Sequence, residues 1–347
     1  MTGLVKRLLI WRMGSIGDTV VALPVFHLLA RQFADAERRV LTNFPVNGNA
    51  APIQSVLENS GLVDGYFAYP MGTRSLARLM NLRREIADWR PDLVICLNEP
   101  RGRFAQWRDL WFLKLCGVRR IVASPAAKAA ESEADRLAGC VAGIGAVATD
   151  NLMNWRLNLT EGERAEADAL VDGWTGGGQF IALSLGTKIA INEWGDDRWQ
   201  EVLNGLAADQ TSLGLTLIGG PDDFARSEAL AKSWRGPVLN LCGRTAPRIS
   251  AAILARATLF MGHDSGPMHL TASVGTRSVI VFSTHNPPRV WFPFGAHHRV
   301  FYPGLSWSGG EPAIERDATG ETDITQIPAS QVLEACHASL ADAEEPA

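Results

Sequence analysis

The sequence predicts two α/β domains in tandem, each built on a doubly wound parallel sheet. Three observations predict this fold class. The chain has 347 residues, short apolar runs alternate with longer amphipathic stretches, and the pattern restarts within residues 150–178. Strands that helices cover on both faces read as continuous apolar runs. At this length, two domains can each bury a core of their own.

The first half alternates strands with helices. We predict four strands, at Arg7–Trp11, Val40–Thr42, Asp92–Leu97 and Arg119–Val122. We predict helices at Thr19–Phe33, Ile53–Ser60 and Leu76–Trp89. The first of these helices is predicted despite Pro24 in its early turns. Strands separated by helices pair in parallel, which predicts a sheet covered on both faces.

The second half repeats this alternation. The predicted strands are Phe180–Ser184, Leu213–Gly219, Val238–Leu241, Ala257–Met261 and Ser278–Phe282. The predicted helices are Glu161–Trp174, Trp199–Ala208, Ile249–Arg256, a helix opened by Ser265 that runs through Val274, and Ala329–Ala341. Ligands of such sheets bind at the carboxyl ends of the strands. We therefore expect the functional residues there, in a cleft between the domains.

Composition excludes several classes of protein. The apolar fraction of 46% and the charged fraction of 20% are typical of a soluble protein, and no run is long and apolar enough to span a bilayer. Lys6 and Arg7 precede only a short apolar run, which does not read as a signal peptide. The five cysteines are scattered without a C-x-x-C pair, so neither disulfides nor a metal site is expected. We expect a cytoplasmic chain.

Charge is unevenly spread along the chain. Residues 1–165 carry 21 Lys and Arg against 16 Asp and Glu, a net charge of +5. Residues 166–347 carry 12 against 21, a net charge of −9. The basic half indicates an anionic partner or a peripheral contact with the cytoplasmic face of an inner membrane. Ordinary solvated arginines on helix faces are the equally favoured alternative.

The strongest local signal is the segment from Met261 to Leu270. An apolar run breaks at Gly262, and Ser265-Gly266-Pro267 then opens a helix. Free backbone N–H groups and the helix dipole favour an anion at such a turn. Asp264 lies at the mouth of the turn and His269 one turn into the helix, although a lone helix histidine is more often structural. The segment predicts a site for a phosphorylated ligand.

A second turn, Gly14-Ser15-Ile16-Gly17, places Asp18 at the start of a helix. A carboxylate there either caps the helix or acts as a general base toward a substrate hydroxyl. The turn is not G-x-G-x-x-G, and no acidic residue stands at the ribose-binding position of a dinucleotide site. On local sequence alone, the capping interpretation is favoured.

Two more strand ends carry polar residues. Thr187 and Lys188 follow a strand, where a hydroxyl and an ammonium suit a diphosphate, and a solvated loop lysine is equally favoured. Asp222 and Asp223 follow a Gly-Gly-Pro turn, where a carboxylate either holds ribose hydroxyls or ends the turn. The chain has no H-x-x-x-H or D-x-D spacing and no G-x-S-x-G or P-loop motif. We therefore expect no dedicated metal site.

Taken in order, these segments resemble glycosyltransferase family 9, the ADP-heptose:lipopolysaccharide heptosyltransferases. The D-S-G-P-M-H-L signature is specific for the family by itself. The other matching segments are specific for it only when they occur together in this order, over about residues 6–340. The matching segments are Leu8–Ile10, Gly14–Asp18 with Pro24, Ser184–Thr187 with Trp194 and Trp199, Gly219–Asp223, Asp264–Leu270, Val279–Phe282 and Pro288–Gly295.

The resemblance implies a GT-B fold, in which two Rossmann-like domains face each other across a cleft. It divides the chain into an acceptor-binding domain at 1–160, a nucleotide-sugar donor-binding domain at 161–328, and a last helix and tail at 329–347. It implies inverting transfer, without a metal or other cofactor, from a nucleoside-diphosphate sugar to an anionic glycan or glycolipid acceptor. The sugar is a heptose or a related one, the donor ADP-linked, and the acceptor a lipopolysaccharide or other surface glycan. No nucleic-acid partner is expected.

The resemblance also assigns roles to individual residues. Asp18 is the base that deprotonates the acceptor hydroxyl, and Lys188 is the catalytic cation. The implied donor-binding residues are Thr187, Asp222, Asp264, Ser265, Gly266, Pro267 and His269. The implied acceptor-side residues are Gly14, Ser15, Gly17, Arg101 and Arg103.

Two departures from the family pattern bear on the donor. The family has a lysine two residues before the first tryptophan, where it neutralises the leaving diphosphate. Here that position is Asn192, followed by Glu193, so Lys188 is the candidate substitute. The family's cysteine-rich segment after the last strand is replaced by residues 301–310. Two alternatives stay open: a nucleotide-sugar-binding protein without transferase activity, and a sugar epimerase of the same fold.

Overall fold

The computed structural model describes residues 5–43, 51–70, 75–99, 102–123, 132–175, 178–209, 212–304 and 323–344. The chain divides into two compact units, Met1–Asn158 and Leu159–Ala347. Each unit contains one sheet, and every strand pair described in either sheet is parallel. The predicted fold class is therefore confirmed. No helix in the described part of the chain is both long and apolar enough to cross a membrane.

The first unit alternates strands and helices as the sequence predicts. Its elements are β1 (Arg7–Trp11), α1 (Ile16–Val20), α2 (Leu23–Gln32), β2 (Glu37–Asn43), α3 (Gln54–Leu57), β3 (Gly65–Tyr69), α4 (Leu76–Trp89), β4 (Leu93–Cys96), α5 (Arg103–Leu115), β5 (Ile121–Val122) and α6 (Glu133–Cys140). The strands lie in the order β3-β2-β1-β4-β5. On one face of the sheet, β1, α4 and α5 contribute Trp11, Ile86 and Leu113 to a buried cluster.

The structure corrects the predicted helix Thr19–Phe33. It is two helices, α1 and α2, which meet at Val21 and Ala22. Pro24 lies in the first turn of α2, because a proline has no N–H to donate and is tolerated only where a helix begins. The helix predicted at Ile53–Ser60 is only the single turn α3. The strand predicted at Arg119–Val122 has two residues and is the fifth strand of its sheet.

The second unit continues the alternation. Its elements are α7 (Glu161–Thr175), β6 (Phe180–Ser184), α8 (Asp196–Asp209), β7 (Gly214–Leu217), α9 (Phe224–Ala231), β8 (Val238–Asn240), α10 (Pro247–Leu254), β9 (Leu259–His263), α11 (Gly266–Val274), β10 (Ser278–Val281), β11 (His298–Phe301) and α12 (Ala329–Glu344). The strands lie in the order β11-β10-β9-β6-β7-β8.

The final helix, α12, packs on the second unit. Val332 and Cys336 of α12 belong to the same buried cluster as Leu203 of α8 and Leu183 of β6. A Cβ on Gly205 of α8 would lie 2.4 Å from the side chain of Leu333, so glycine at this position allows the two helices to approach closely. The residues predicted as a last helix are thus part of the core of this unit.

Candidate functional site

The strand order of the second unit marks one edge of its sheet as a ligand site. β6 and β9 are parallel neighbours, with Leu183 opposite Met261 and Ser184 opposite Gly262. Chain order runs away from this pair in both directions, to β7 and β8 on one side and to β10 and β11 on the other. The carboxyl ends of two such strands leave a crevice, where doubly wound sheets bind their ligands. The loop at 185–192 and the turn at 264–267 follow these strands.

The turn after β9 presents an open helix start. Ser265 is the N-cap of α11 in extended conformation, and its side chain makes no capping hydrogen bond. Its Oγ is buried and, among the residues that the structure describes, has no hydrogen-bond partner. Ser184 Oγ, at the end of β6, is also buried without a described partner. Both hydroxyls lie at the ends of neighbouring strands, and protein atoms cover both of them.

Pro267 lies in the first turn of α11, where proline is tolerated because the first N–H groups of a helix have no intrahelical acceptor. The remaining N–H groups of this turn and the helix dipole favour an anion. The geometry predicted for Ser265, Gly266 and Pro267 is present. What occupies it stays a prediction.

Asp264 is a buried carboxylate beside this turn. Its side chain is 13% exposed, and Oδ1 lies 3.9 Å from Nε2 of His269. Asn286 donates a hydrogen bond from Nδ2 to Oδ2 of Asp264 over 3.4 Å. Burial raises the pKa of Asp264 to about 6, although Asn286 and the charge of His285 favour the ionised form. The structure thus brings the predicted residues Asp264 and His269 together.

His263, which the sequence analysis did not single out, ties the loop after β6 to β9. Its Nε2 accepts hydrogen bonds from the Trp194 backbone N–H over 3.0 Å and from the Trp199 indole N–H over 3.1 Å. An atom that accepts two hydrogen bonds carries no proton, so the ring is neutral. Burial lowers the pKa of His263 to about 3. The sequence does contain a signal for this residue: a histidine at the end of an apolar strand is a buried polar group, and such a group needs hydrogen-bond partners.

The loop after β6 contains Thr187, Lys188 and Asn192. Thr187 donates a hydrogen bond from Oγ1 to the carbonyl of Ile189 over 2.8 Å, and Lys188 is exposed. Asn192 is only 5% exposed and accepts a hydrogen bond from Ser283 Oγ. The residue at the family's lysine position therefore packs inward and has a structural partner.

Of the two carboxylates after β7, the structure turns Asp223 inward. Asp222 is exposed, whereas Asp223 is partly buried and accepts a hydrogen bond at Oδ2 from the Gly220 N–H over 2.8 Å. A Cβ on Gly186 would lie 2.2 Å from Oδ2 of Asp223, and one on Gly219 would lie 2.6 Å from it. Burial raises the pKa of Asp223. The assignment of Asp222 to the ribose stays a prediction, and the inward turn of Asp223, which these two glycines allow, was not predicted from sequence.

In the first unit, the turn after β1 holds Asp18 against Gly14. Asp18 Oδ2 accepts hydrogen bonds from the Ser15 N–H over 2.9 Å and from Ser15 Oγ over 3.3 Å. Gly14 has a φ of 138°, and a Cβ on it would lie 2.3 Å from the Asp18 side chain, so this turn requires glycine. The capping role is therefore present, and Gly17 lies in the first turn of α1. With its side chain 34% exposed, Asp18 is also accessible to a substrate hydroxyl.

A buried charge network that the sequence analysis missed lies directly behind Asp18. Arg12, 3% exposed, donates from Nε and Nη2 to the Asp18 carbonyl over 3.2 and 3.0 Å. Its Nη1 donates to Glu133 Oε1 over 3.0 Å and to the Leu97 carbonyl over 2.9 Å. Arg136 completes the network, with 2.6 Å between its Nε and Glu133 Oε2. Hydrogen bonds to a buried guanidinium make the backbone position of Asp18 rigid.

The side chains of the two predicted acceptor-side arginines lie outside the described part of the structure. Arg101 lies outside the described residues, and Arg103 begins α5 with its side chain likewise outside them. Of the replaced segment at 301–310, only residues up to Gly304 are described. No group of three or more His, Cys, Asp or Glu side chains within the described ranges could hold a metal ion.

Comparison with known proteins identifies the relatives of this chain. Residues 147–303 match the model of glycosyltransferase family 9 (heptosyltransferase). "Lipopolysaccharide heptosyltransferase 3" of Escherichia coli (strain K12) is 25% identical over 159 residues, which are 45% of this chain and 44% of the relative. The chain thus spans less than half the length of this curated relative in the match.

Solved structures share the fold along almost the whole chain. A glycosyl transferase family 9 protein from Veillonella parvula has a TM-score of 0.76 at 19% identity, covering 97% of this chain and 98% of that one. The E. coli ADP-heptose lps heptosyltransferase II has a TM-score of 0.71 at 15% identity, covering 98% and 100%. The resemblance drawn from the ordered motifs is confirmed: this chain is similar to glycosyltransferase family 9 over residues 147–303 and shares the fold of such proteins along almost its whole length.

Proposed function

We propose that this chain is an inverting glycosyltransferase that moves a heptose or related sugar from an ADP-linked donor to a lipopolysaccharide or other surface-glycan acceptor. The family match supports glycosyl transfer, and the names of the relatives supply the ADP-heptose donor and the lipopolysaccharide acceptor. The nucleotide-sugar is a substrate, and the proposal requires neither a metal nor another cofactor. We propose that the chain works at the cytoplasmic face of a membrane, in keeping with its basic first half.

The observation that carries this proposal, together with the family match, is the open start of α11. Ser265 is the N-cap of this helix without a capping hydrogen bond, and it follows β9 at the switch point of the sheet. Diphosphate oxygens would accept hydrogen bonds from the N–H groups that open α11. Asp223 or Asp222 would then hold the ribose from the next strand end.

The proposed reaction is a single displacement. The acceptor oxygen attacks the anomeric carbon, and the bond from that carbon to the diphosphate oxygen breaks. Asp18 takes the acceptor proton, and the nucleoside diphosphate leaves with the electron pair of the broken bond. The helix start at Ser265 and the ammonium of Lys188 stabilise the charge of the leaving group. One displacement inverts the configuration of the anomeric carbon.

Titration calorimetry of the protein with ADP, UDP and GDP tests the donor site. We expect ADP to bind most tightly. Gly266→Glu should abolish binding, because it introduces a side chain and a negative charge at the helix start. Ser330→Glu is the matched control, since it adds the same charge to the exposed first turn of α12. Undiminished ADP affinity in Gly266→Glu contradicts the proposed site.

One observation favours a second candidate function. Asn192 stands at the family's lysine position and is buried in a hydrogen bond with Ser283, which suits a nucleotide-sugar-binding protein without transferase activity. The two candidates differ in turnover: a transferase releases ADP only when an acceptor is present, whereas a binding protein releases none.

A further inference from the structure

Helix α5 exposes a row of large apolar side chains. Phe104, Trp107, Trp111 and Leu115 are 76%, 56%, 49% and 57% exposed. Their spacing of three and four residues places them on one face of the helix. The Phe104 and Trp107 rings stack with centroids 6.2 Å apart, and Trp107 and Trp111 meet edge to face at 5.7 Å. Such a row is uncommon on a soluble protein surface and marks an interaction site.

The neighbouring helix α4 contributes to the same side of the first unit. Leu76 and Met80, in its first two turns, are 71% and 39% exposed. Both helices pack on one face of the sheet, because their inward side chains join a single buried cluster. Arg83 of α4 donates a hydrogen bond from Nε to the carbonyl of Leu115 over 2.9 Å. We call the exposed faces of α4 and α5 the aromatic face.

The segment that carries the aromatic face is strongly basic. Residues 75–122 hold 10 Lys and Arg against 5 Asp and Glu. Their net charge of +5 equals the whole excess of the first half of the chain. Arg84, Lys114 and Arg119 are exposed. Half-buried Asp109 pairs with Arg108 over 2.8 Å.

Apolar and basic side chains together indicate what covers this face. Tryptophan and phenylalanine favour the interface between lipid headgroups and acyl chains. Exposed Lys and Arg beside them attract anionic headgroups, and the two signals together give stable peripheral binding. A second copy of this chain would bring two like-charged surfaces together, which opposes self-association through this face.

Helix α5 begins at the same end of the first unit's sheet as the candidate base, Asp18. β1 and β4 are parallel neighbours, with Trp11 opposite Cys96. The turn that holds Asp18 follows β1, and α5 is the next helix after β4. Helix α5 therefore starts at the edge of the sheet where Asp18 lies. A lipid-linked acceptor held in a bilayer at this helix would present its glycan to that edge.

We propose that the aromatic face docks this chain onto the surface of an anionic phospholipid bilayer. The proposal rests on the proposed function, because a glycolipid acceptor is located in a membrane. The aromatic side chains enter the interfacial region, and the basic side chains contact the headgroup phosphates. Binding is reversible and weakens as salt concentration rises.

Co-sedimentation of the full chain with unilamellar vesicles tests this proposal. Vesicles of phosphatidylcholine with about a third of phosphatidylglycerol, which supplies anionic headgroups, are compared with vesicles of pure phosphatidylcholine. We expect binding to the anionic vesicles only. The double variant Trp107→Gln/Trp111→Gln should bind roughly tenfold more weakly. The double variant Lys114→Gln/Arg119→Gln should lose part of its preference for anionic lipid and of its salt dependence.

Leu152→Gln/Met153→Gln is the matched control, because these side chains are also exposed, at 41% and 54%, in the first unit but away from α4 and α5. It should bind vesicles as the unmodified chain does. If Trp107→Gln/Trp111→Gln fails to fold by circular dichroism, Phe104→Gln, at the most exposed position of the row, carries the same expectation.

Equal vesicle binding by the aromatic variant and the unmodified chain overturns the proposal, as does a lack of binding by the unmodified chain. A dimer that the aromatic variant converts to a monomer, without vesicle binding, assigns the face to self-association instead. ADP titration separates this proposal from the proposed function. If a variant of the aromatic face loses vesicle binding but keeps its ADP affinity, the aromatic face binds the membrane independently of the donor site. If the unmodified chain binds vesicles but not ADP, the proposed donor site is contradicted and the proposed membrane contact is not.

Discussion

At the scale of single residues, the two carboxylate oxygens of Asp18 differ in their surroundings. Oδ2 is occupied by the capping hydrogen bonds from Ser15. Oδ1 lies 3.8 Å from Nη2 of Arg12, which makes it the atom that could accept a proton from an acceptor. In the proposed reaction, capping and proton transfer would therefore use different oxygens, and a substitution can separate the two roles.

Asp18→Asn retains an oxygen that can accept the Ser15 N–H but removes basicity. We expect kcat to fall roughly a hundredfold or more, because general-base catalysis contributes on that scale. ADP affinity should be preserved, since the proposed donor residues all lie in the second unit. Transfer kinetics and ADP titration give the two readouts. If Asp18→Asn turns over almost as fast as the unmodified chain and its melting temperature is unchanged, Asp18 only caps the helix and is not the base.

Asp264 makes stability depend on pH. Its pKa of about 6 exceeds its ordinary value near 4, so the folded state binds more protons than the unfolded state between these values. Stability from this group is therefore full below about pH 4 and is lost as the pH rises toward 6, a loss of about 3 kcal/mol. Asp264→Asn should be more stable than the unmodified chain at pH 7.5 and lose that advantage near pH 4. Urea unfolding at both pH values measures this, and a variant less stable at pH 7.5 contradicts it.

At the scale of elements, the loop after β6 has an anchored part and an exposed part. Asn192 is held inside by Ser283, and Trp194 is fixed by His263. Glu193 pairs with Arg226 over 3.1 Å. The C-terminal part of the loop is thus anchored, while Lys188 lies in its exposed part. In the proposed reaction, the long ammonium side chain of Lys188 would neutralise the leaving diphosphate in place of the lysine that Asn192 replaces.

Lys188→Ala should lower kcat/KM by a factor of about 30 to 150, which corresponds to roughly 2–3 kcal/mol for a charge-assisted contact. Lys232→Ala is the matched control, because Lys232 is an exposed lysine of the same unit that follows α9. Initial-rate kinetics at varied donor concentration measure both variants. If Lys188→Ala keeps its kcat/KM, the leaving group is stabilised by the start of α11 without this lysine.

The sequence predicted most accurately those elements that have a regular apolar pattern and clear residue signals at their ends. The bounds of β6 and of α4 agree with the prediction, because a fully buried run and a regular helical period each leave little ambiguity. Edge strands β3 and β11 were missed, since they are short and only partly buried. Helix α5 was missed because Phe104, Trp107 and Trp111 face outward, which blurs the period of buried positions.

At the scale of the whole molecule, the repeat of two parallel sheets was predictable, but their strand orders were not. The alternation of strands and helices implies parallel pairing, whereas order depends on long-range packing that no local pattern encodes. The same limit applied to the candidate site. The motif at 264–270 was found from sequence, but the inward turn of Asp223 depends on Gly186 and Gly219 in different loops. The partners of Arg12 also come from strands and helices far along the chain.

The network of Arg12, Glu133 and Arg136 also sets an order of events during synthesis. Arg12 and Glu133 are 121 positions apart, so the strand that carries Arg12 leaves the ribosome long before its partner is translated. Chains emerge from the N-terminus at a few to some twenty residues per second, which leaves Arg12 without its carboxylate for several seconds. Arg12, which donates to the Asp18 carbonyl, thus gains its carboxylate partner only after Glu133 has been translated. A nascent chain therefore completes the network behind Asp18 late in the synthesis of its first unit, and a chain truncated before Glu133 would lack that carboxylate.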